Sequence, residues 1–474
     1  MPDMSFHRQP WSALLWAMLF LAATLSMEAF VSYLFPSRPA VMGASYLGCL
    51  AWGGIGFLYA FVRRPLNQLF VLTSLALYMV GNLNAVASYF HYGPYYLSEL
   101  LPANLVYCLF SAVLAAGLIV GEKWLLLRPP ASAMSYRREP TNTVFFWGCL
   151  VFPFVWIADE LIALKRIPIL AGESIADDIY SLDYGWLYGY GVLLGVSALV
   201  MWSKRKDTDN RFLSAIMSAL LLSTMFIMVF DGKRIFVLMF FAALIAFEVI
   251  AHPDRKFWVK LFWIGATILG LYIVVLYFRQ GGFILRRNDG ADLFSKVGVE
   301  YRDFVFLHGR YAAGSLPGYN WAASAVGGFG NSIMLALIGL NKNELVFSGS
   351  AYQIALTLRS SFGIRIGLMP ELWLNYGLWG SVIMLPIGVF FVWVSRLAQQ
   401  STTEIGRILA CLVYGVLMLS FVNQTTAVTG YLSLIFYLWL VWLFLDAFRS
   451  RRTPRTVAGG ATWRRPGRVW QSGK

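Results

Sequence analysis

Two short polar clusters and one long polar stretch hold the residue types that could do chemistry in this chain. The first cluster is Asp231-Gly232-Lys233-Arg234, set between two apolar runs. Gly232 permits a sharp reversal, and Lys233 and Arg234 then open the following helix. Cations at a helix N-terminus oppose the helix dipole, at a local cost of a few tenths to about one kcal/mol. An anionic partner would offset that cost. The alternative is that Asp231 pairs with one cation while the side chains snorkel to a membrane interface. The second cluster is Glu371 with Asn375, four residues apart and so on one face of a helix. Glu371 reads in two ways, as a helix-capping acid in a first turn or as a carboxylate base.

The long stretch runs from Arg279 to Glu371, 93 residues, and is the longest polar interruption in the chain. It contains Arg279, Arg286, Arg287, Arg302-Asp303, His308, Arg310, Arg359 and Arg365, with several aromatics and few lysines. It lacks the Ser/Pro/Gln bias of a disordered linker, and a long connection that is not low-complexity is usually functional. The expectation is an active-site cap on one face of a membrane protein. Within it, residues 292–311 can wind as an amphipathic helix with Leu293, Val297, Phe304 and Leu307 on one stripe. The other face would carry Arg302, Asp303 and Arg310. His308 suits either a proton shuttle or ordinary surface placement.

The elements that must position these residues are apolar. Hydrophobic residues form 58% of the 474, charged residues 13%, and the mean hydropathy is +0.63. That balance excludes a soluble domain of this length and implies an all-α polytopic membrane protein. Apolar runs near 11–35, 41–62, 66–90, 104–127, 143–164, 186–203, 213–230, 235–250, 258–278, 372–395, 407–422 and 429–446 predict about twelve spans. The organisation expected is nine spans in 1–278, an extracytoplasmic loop at 279–371, three spans in 372–446 and a basic tail at 447–474. The first run is long enough to span and has no small-residue cleavage site, so no cleavable signal is expected. Glu28, inside that run, is an intramembrane carboxylate and a functional candidate, with a buried structural role as the alternative.

Charge tests the count. With the N-terminus inside, 24 of the 38 Lys and Arg residues fall on the cytoplasmic side, and the outer loops are close to neutral. This is the positive-inside pattern, and it places both termini in the cytoplasm. The net charge of +14 then marks cytoplasmic loops and a tail beside anionic membrane lipids, with no nucleic-acid partner.

Other motifs lead nowhere. Asp207-Thr-Asp209 spells a metal-dependent sugar-nucleotide transferase pattern, but its short loop cannot hold the domain that pattern needs, so it reads as a solvated hinge. Gly191-x-x-x-Gly195 is a close-packing face. Cys49, Cys108, Cys149 and Cys411 all lie in apolar runs without paired spacing, as small core residues do. No metal or cofactor is expected. The aromatic-rich 165–185 loop suits either sugar stacking or an interfacial aromatic belt.

The Gly232-Lys233-Arg234 turn, the Arg-rich loop and the closing Pro370-Glu371-x-x-x-Asn375-x-Gly377-x-x-Gly380 together resemble the bacterial oligosaccharide repeat-unit (O-antigen, Wzy-type) polymerases. The resemblance covers about 220–390. It implies a GT-C-like membrane enzyme of the bacterial inner membrane, a metal-independent glycosyltransferase. Such an enzyme joins polyprenyl-pyrophosphate-linked oligosaccharides, alongside a flippase and a chain-length-regulating co-polymerase. A sugar-pyrophosphate donor carries its own leaving group. It needs permanently charged, bidentate cations for the departing pyrophosphate and a base for the incoming hydroxyl. The expected pyrophosphate and glycan contacts are Arg234, Arg302 and Arg279, assisted by Lys233, with Arg310, Arg359, Arg365 and Asn375 beside them. Glu371 is the expected base, and Asp303 is its rival or the orienting partner of Arg302. The alternatives are an O-antigen ligase-like transferase, a transporter or flippase for lipid-linked glycans, and an acyltransferase or other outer-face transferase. The carrier reading is set back by the lack of an internal repeat.

Overall fold

The computed structural model describes residues 61–62, 64–74, 95–126, 143–165, 186–229, 235–251, 299–310, 319–330, 332–349, 366–401 and 403–452, with single positions 267, 270 and 353. Helix dominates these residues and no strand occurs among them. After a helix at 65–74, thirteen further helices follow in chain order among the described residues. They are α1 Tyr95–Leu126, α2 Thr143–Leu164, α3 Leu193–Asp207, α4 Arg211–Met228, α5 Ile235–Ala251, α6 Val299–Arg310, α7 Trp321–Phe329, α8 Ser332–Leu337, α9 Lys342–Phe347, α10 Leu368–Tyr376, α11 Gly380–Gln400, α12 Glu404–Leu419 and α13 Thr425–Arg452.

Among the described residues five segments are long and apolar enough to cross a membrane: Pro102–Leu125, Thr143–Leu164, Arg211–Met228, Leu368–Gln400 and Thr425–Leu445; Ile235–Ile250 is a shorter apolar helix. The protein is therefore a helical membrane protein. The apolar runs near 104–127, 143–164, 213–230, 235–250, 372–395, 407–422 and 429–446 correspond to α1, α2, α4, α5, α11, α12 and α13. The run near 186–203 opens with a 3₁₀ turn at Tyr188–Tyr190 and continues as α3. The count of twelve extends outside the described residues, because the runs near 11–35, 41–62, 66–90 and 258–278 lie wholly or mostly there.

Close packing is made by glycine. Gly117 of α1 and Gly388 of α11 face each other, and a Cβ on Gly117 would sit 2.3 Å from the Leu385 carbonyl oxygen. Gly415 of α12 lies against the Met239 carbonyl of α5, and Gly191 and Gly195 receive Phe236, Leu412 and Met239. Without side chains at these points the backbones approach closely, which is how helices associate when lipid removes the hydrophobic drive between them. Phe70, Phe391 and Tyr414 fill the seam between the 65–74 helix, α11 and α12.

Residue pairing fixes the direction of α1, α3, α5, α11 and α12. Glu404, opening α12, meets Ser203 and Lys204 at the end of α3, and Glu248 near the end of α5 meets Trp202 and Lys206. Arg396, near the end of α11, donates to the Leu125 carbonyl at the end of α1. These residues form one end of the bundle, the basic end. The starts of α5, α11 and α13 and the end of α12 lie at the other.

Candidate functional site

The opposite end is organised by a broken helix. Residues 368–400 do not run straight: α10 stops at Tyr376, a 3₁₀ turn covers Gly377–Trp379, and α11 starts at Gly380. Gly377 has φ +59 and ψ −142, a region almost confined to glycine. Gly380 turns in so tightly that a Cβ would lie 2.5 Å from the Leu372 carbonyl oxygen. The two glycines thus serve the break itself rather than close approach by another helix.

The break lets α10 sit as a buried plug, with Leu368 to Leu374 all buried. Its start docks on the turn after α12. The Leu368 amide donates to the Ser420 carbonyl at 2.7 Å, and Gly367 leaves room for the Phe421 carbonyl. Glu371 is fully buried. Its Oε2 accepts from the Thr425 amide at 2.7 Å and also from the Thr425 hydroxyl. Thr425 is the first residue of α13, so the carboxylate caps that helix and not its own, where negative charge meets the positive end of the dipole.

The rest of the cluster continues around Thr425. Its hydroxyl accepts from the Trp321 indole N–H at 2.8 Å. Asn375 accepts from the Trp321 amide at 3.4 Å and donates to the Tyr319 carbonyl at 3.3 Å. Asn320 caps α7 by accepting from the Ala323 amide at 3.0 Å. Glu371 and Asn375 therefore share a face, as their spacing implies. That face holds the N-termini of α7 and α13 side by side, an arrangement that favours negative charge.

Part of the long polar stretch packs into the bundle. α6 buries Phe304, Val305 and Leu307, with Phe304 and Leu307 on the expected stripe. His308, half-buried, stacks on Trp373 at 4.6 Å between ring centres, and Phe304 meets the same indole edge-on at 5.6 Å. Trp373 lies two residues from both Glu371 and Asn375, so it points to the other side of α10. α6, bearing half-buried Asp303, thus approaches α10 from the face turned away from Glu371. Arg302 and Arg310 belong to this helix. Lys233, Arg234, Arg279, Arg359 and Arg365, with Glu28 and Cys49, lie outside the described residues. Cys108, Cys149 and Cys411 are buried free thiols.

Thr425, Trp321 and Asn320 are site residues that sequence reasoning passed over. The signal was present: polar Asn423-Gln424-Thr425-Thr426 precedes an apolar helix, and Asn320 precedes Trp321 as an N-cap residue does. Starting the last span near 429 left Thr425 outside it.

The basic end has a different chemistry. Glu404 pairs with Lys204 at 2.6 Å and accepts from Ser203 at 2.6 Å, while Glu248 pairs with Lys206 and accepts from the Trp202 indole at 2.7 Å. Glu122 accepts from the Arg64 amide and Asn67, and Arg64 reaches Gln399 at 2.7 Å. Burial pulls the Arg64 guanidinium below its ordinary pKa, Glu122 opposes that shift, and Arg396 adds to it. Asp209 lies exposed in the 208–210 connection, as a solvated hinge would. Among the described residues no three His, Cys, Asp or Glu side chains gather around a common point.

Compared with known proteins, the chain matches no family model, no curated protein and no solved structure.

Proposed function

We propose that this protein joins polyprenyl-pyrophosphate-linked oligosaccharide repeat units into a surface polysaccharide, as a metal-independent glycosyltransferase of the bacterial inner membrane. In this reading the chain has about twelve spans in a GT-C-like arrangement, with both termini and the basic end in the cytoplasm. The Glu371 end faces outward. A repeat-unit flippase and a chain-length-regulating co-polymerase are its partners.

The observation that supports the reading best is the buried Glu371–Asn375 face, set against two helix N-termini at the end opposite the lysine-rich one. Such a place tolerates a pyrophosphate near helix N-termini and holds a carboxylate out of water. Arg234 immediately precedes α5, whose first residue Ile235 lies at this same end. Arginines there would grip the departing pyrophosphate, and Glu371 would accept the proton of the incoming sugar hydroxyl.

A second reading, a transporter or flippase for lipid-linked glycans, is favoured by the helix break at Gly377, since discontinuous helices build substrate sites in carriers. An O-antigen ligase-like transferase would use the same parts on a different acceptor. Lipid-linked glycans extracted from a strain lacking the protein separate the three. Single repeats accumulating on the outer leaflet are expected here. Repeats retained on the inner leaflet would mean flippase, and long undelivered polymer would mean ligase.

A further inference from the structure

Residues 319–349 leave the Glu371 end and come back to it. The Asn320 amide donates to the Ser348 carbonyl at 3.3 Å, so the segment closes on itself as a hairpin. Its outgoing leg, α7, runs beside α13 in the same direction. Trp321 meets Thr425, Ser324 meets Thr426, and Gly328 lies against the Thr426 carbonyl and the Thr429 hydroxyl. At its far end Phe329 meets Phe436, with ring centres 6.2 Å apart.

Those pairings measure depth. Thr425–Leu445 is a membrane-crossing segment, and Phe436 lies eleven residues into it, roughly 16 Å at 1.5 Å per residue. That is about half of a hydrocarbon core of roughly 30 Å. The tip that follows is apolar and faces outward: Leu337 is 81% and Ile338 69% exposed, with Leu340 and Phe329 also exposed. The tip also satisfies its own backbone. The amides of Ile338, Gly339 and Leu340 donate to the Leu335 and Ala336 carbonyls, and the Gly330 amide donates to Val326. Gly339, at φ +75, makes that tight turn possible. Irregular backbone at membrane depth requires such internal satisfaction, whereas a loop in water does not.

We infer that 319–349 is a re-entrant hairpin whose tip lies in the lipid hydrocarbon, so that its surface partner is the bilayer interior. The returning leg carries polar Asn341 and Glu344, joined to each other at 3.2 Å, and Lys342, whose long stem lets its ammonium rise toward the headgroups. The hairpin brings Trp321 to Thr425 and Asn375, beside Glu371. This holds whatever reaction the site performs.

The test is nitroxide labelling of Leu337→Cys and Ile338→Cys in the full chain reconstituted in lipid vesicles, with Val441→Cys on the exposed face of α13 as reference. The cysteines at 49, 108, 149 and 411 are replaced in the background. Collision with oxygen is compared with collision with a water-soluble nickel chelate, and unlabelled-variant melting temperatures confirm folding. The expected result is that both tip sites favour oxygen at least tenfold over a water-exposed control at Asp209→Cys, as Val441 does. Preference for the nickel chelate, or access by neither agent, overturns the inference. Should Leu337→Cys fail to fold, Ile338→Cys alone decides.

Discussion

The two ends of the bundle hold their buried acids by different means. At the basic end Glu404 and Glu248 each meet a lysine, and Ser203 and Trp202 complete their hydrogen bonds. At the other end Glu371 meets a main-chain amide and a hydroxyl at the head of α13. A side-chain ion pair neutralises charge locally and is weak where it borders water. A helix N-terminus instead holds an anion with fixed dipoles that do not reorganise, and that is the property a site handling charged substrates needs. The basic end is therefore a structural clamp, and the Glu371 end has the fixed dipoles that the proposed chemistry would use.

The largest expected effect breaks the Glu371 end by geometry. A Cβ on Gly367 would sit 2.1 Å from the Phe421 carbonyl oxygen, backbone against backbone. Gly367→Ala should destabilise the protein by about 1–3 kcal/mol, the usual range for overpacking, read as a lower melting temperature in detergent. Gly148, with nothing within 4 Å, supplies the control: Gly148→Ala should leave stability unchanged or slightly higher. Equal behaviour of the two would show that α10 is not docked on the turn after α12.

A smaller effect sharpens the functional side. Arg234→Lys keeps the charge but loses bidentate geometry and should reduce chain extension about tenfold at equal expression. Wild-type chain-length distributions in that variant would return the turn to an interface anchor. The smallest effect on activity belongs to the basic end. Lys204 pairs with Glu404, whose side chain is only 7% exposed, so Lys204→Met should cost about 1–3 kcal/mol of stability by leaving a buried carboxylate short of a partner and leave chain extension unchanged. A loss of extension there would contradict the division between the ends.

Much of the architecture could be read from the chain because hydropathy registers spans directly. The run 143–164 coincides with α2, and 104–127 with the Pro102–Leu125 part of α1, which itself starts at Tyr95. The shared face of Glu371 and Asn375 was legible too, since it follows from helical periodicity alone. The break at Gly377 was not: glycines at this spacing suit a helix-packing face, and it is the positive φ of Gly377 that marks the break. The surroundings of Glu371 were hidden for another reason. Thr425 and Trp321 lie 54 and 50 residues away, brought together by tertiary packing that no local pattern encodes. The polar composition of 279–371 suggested a loop above the bundle, while α7 lies along α13 because its Ser324, Gly327 and Gly328 are small enough to bury there.

In the proposed function Glu371 works as a base and is not only a cap. Glutamine at 371 retains a carbonyl oxygen to accept from the Thr425 amide, so Glu371→Gln should cost about 1–2 kcal/mol of stability and leave the protein folded. In-vitro extension of purified lipid-linked repeats, with donor binding followed separately, is the direct measurement. The account expects binding to persist and turnover to fall by roughly 10²–10⁴-fold. Near-normal extension by Glu371→Gln would contradict it, and loss of extension in Asp303→Asn alongside would move the base to α6.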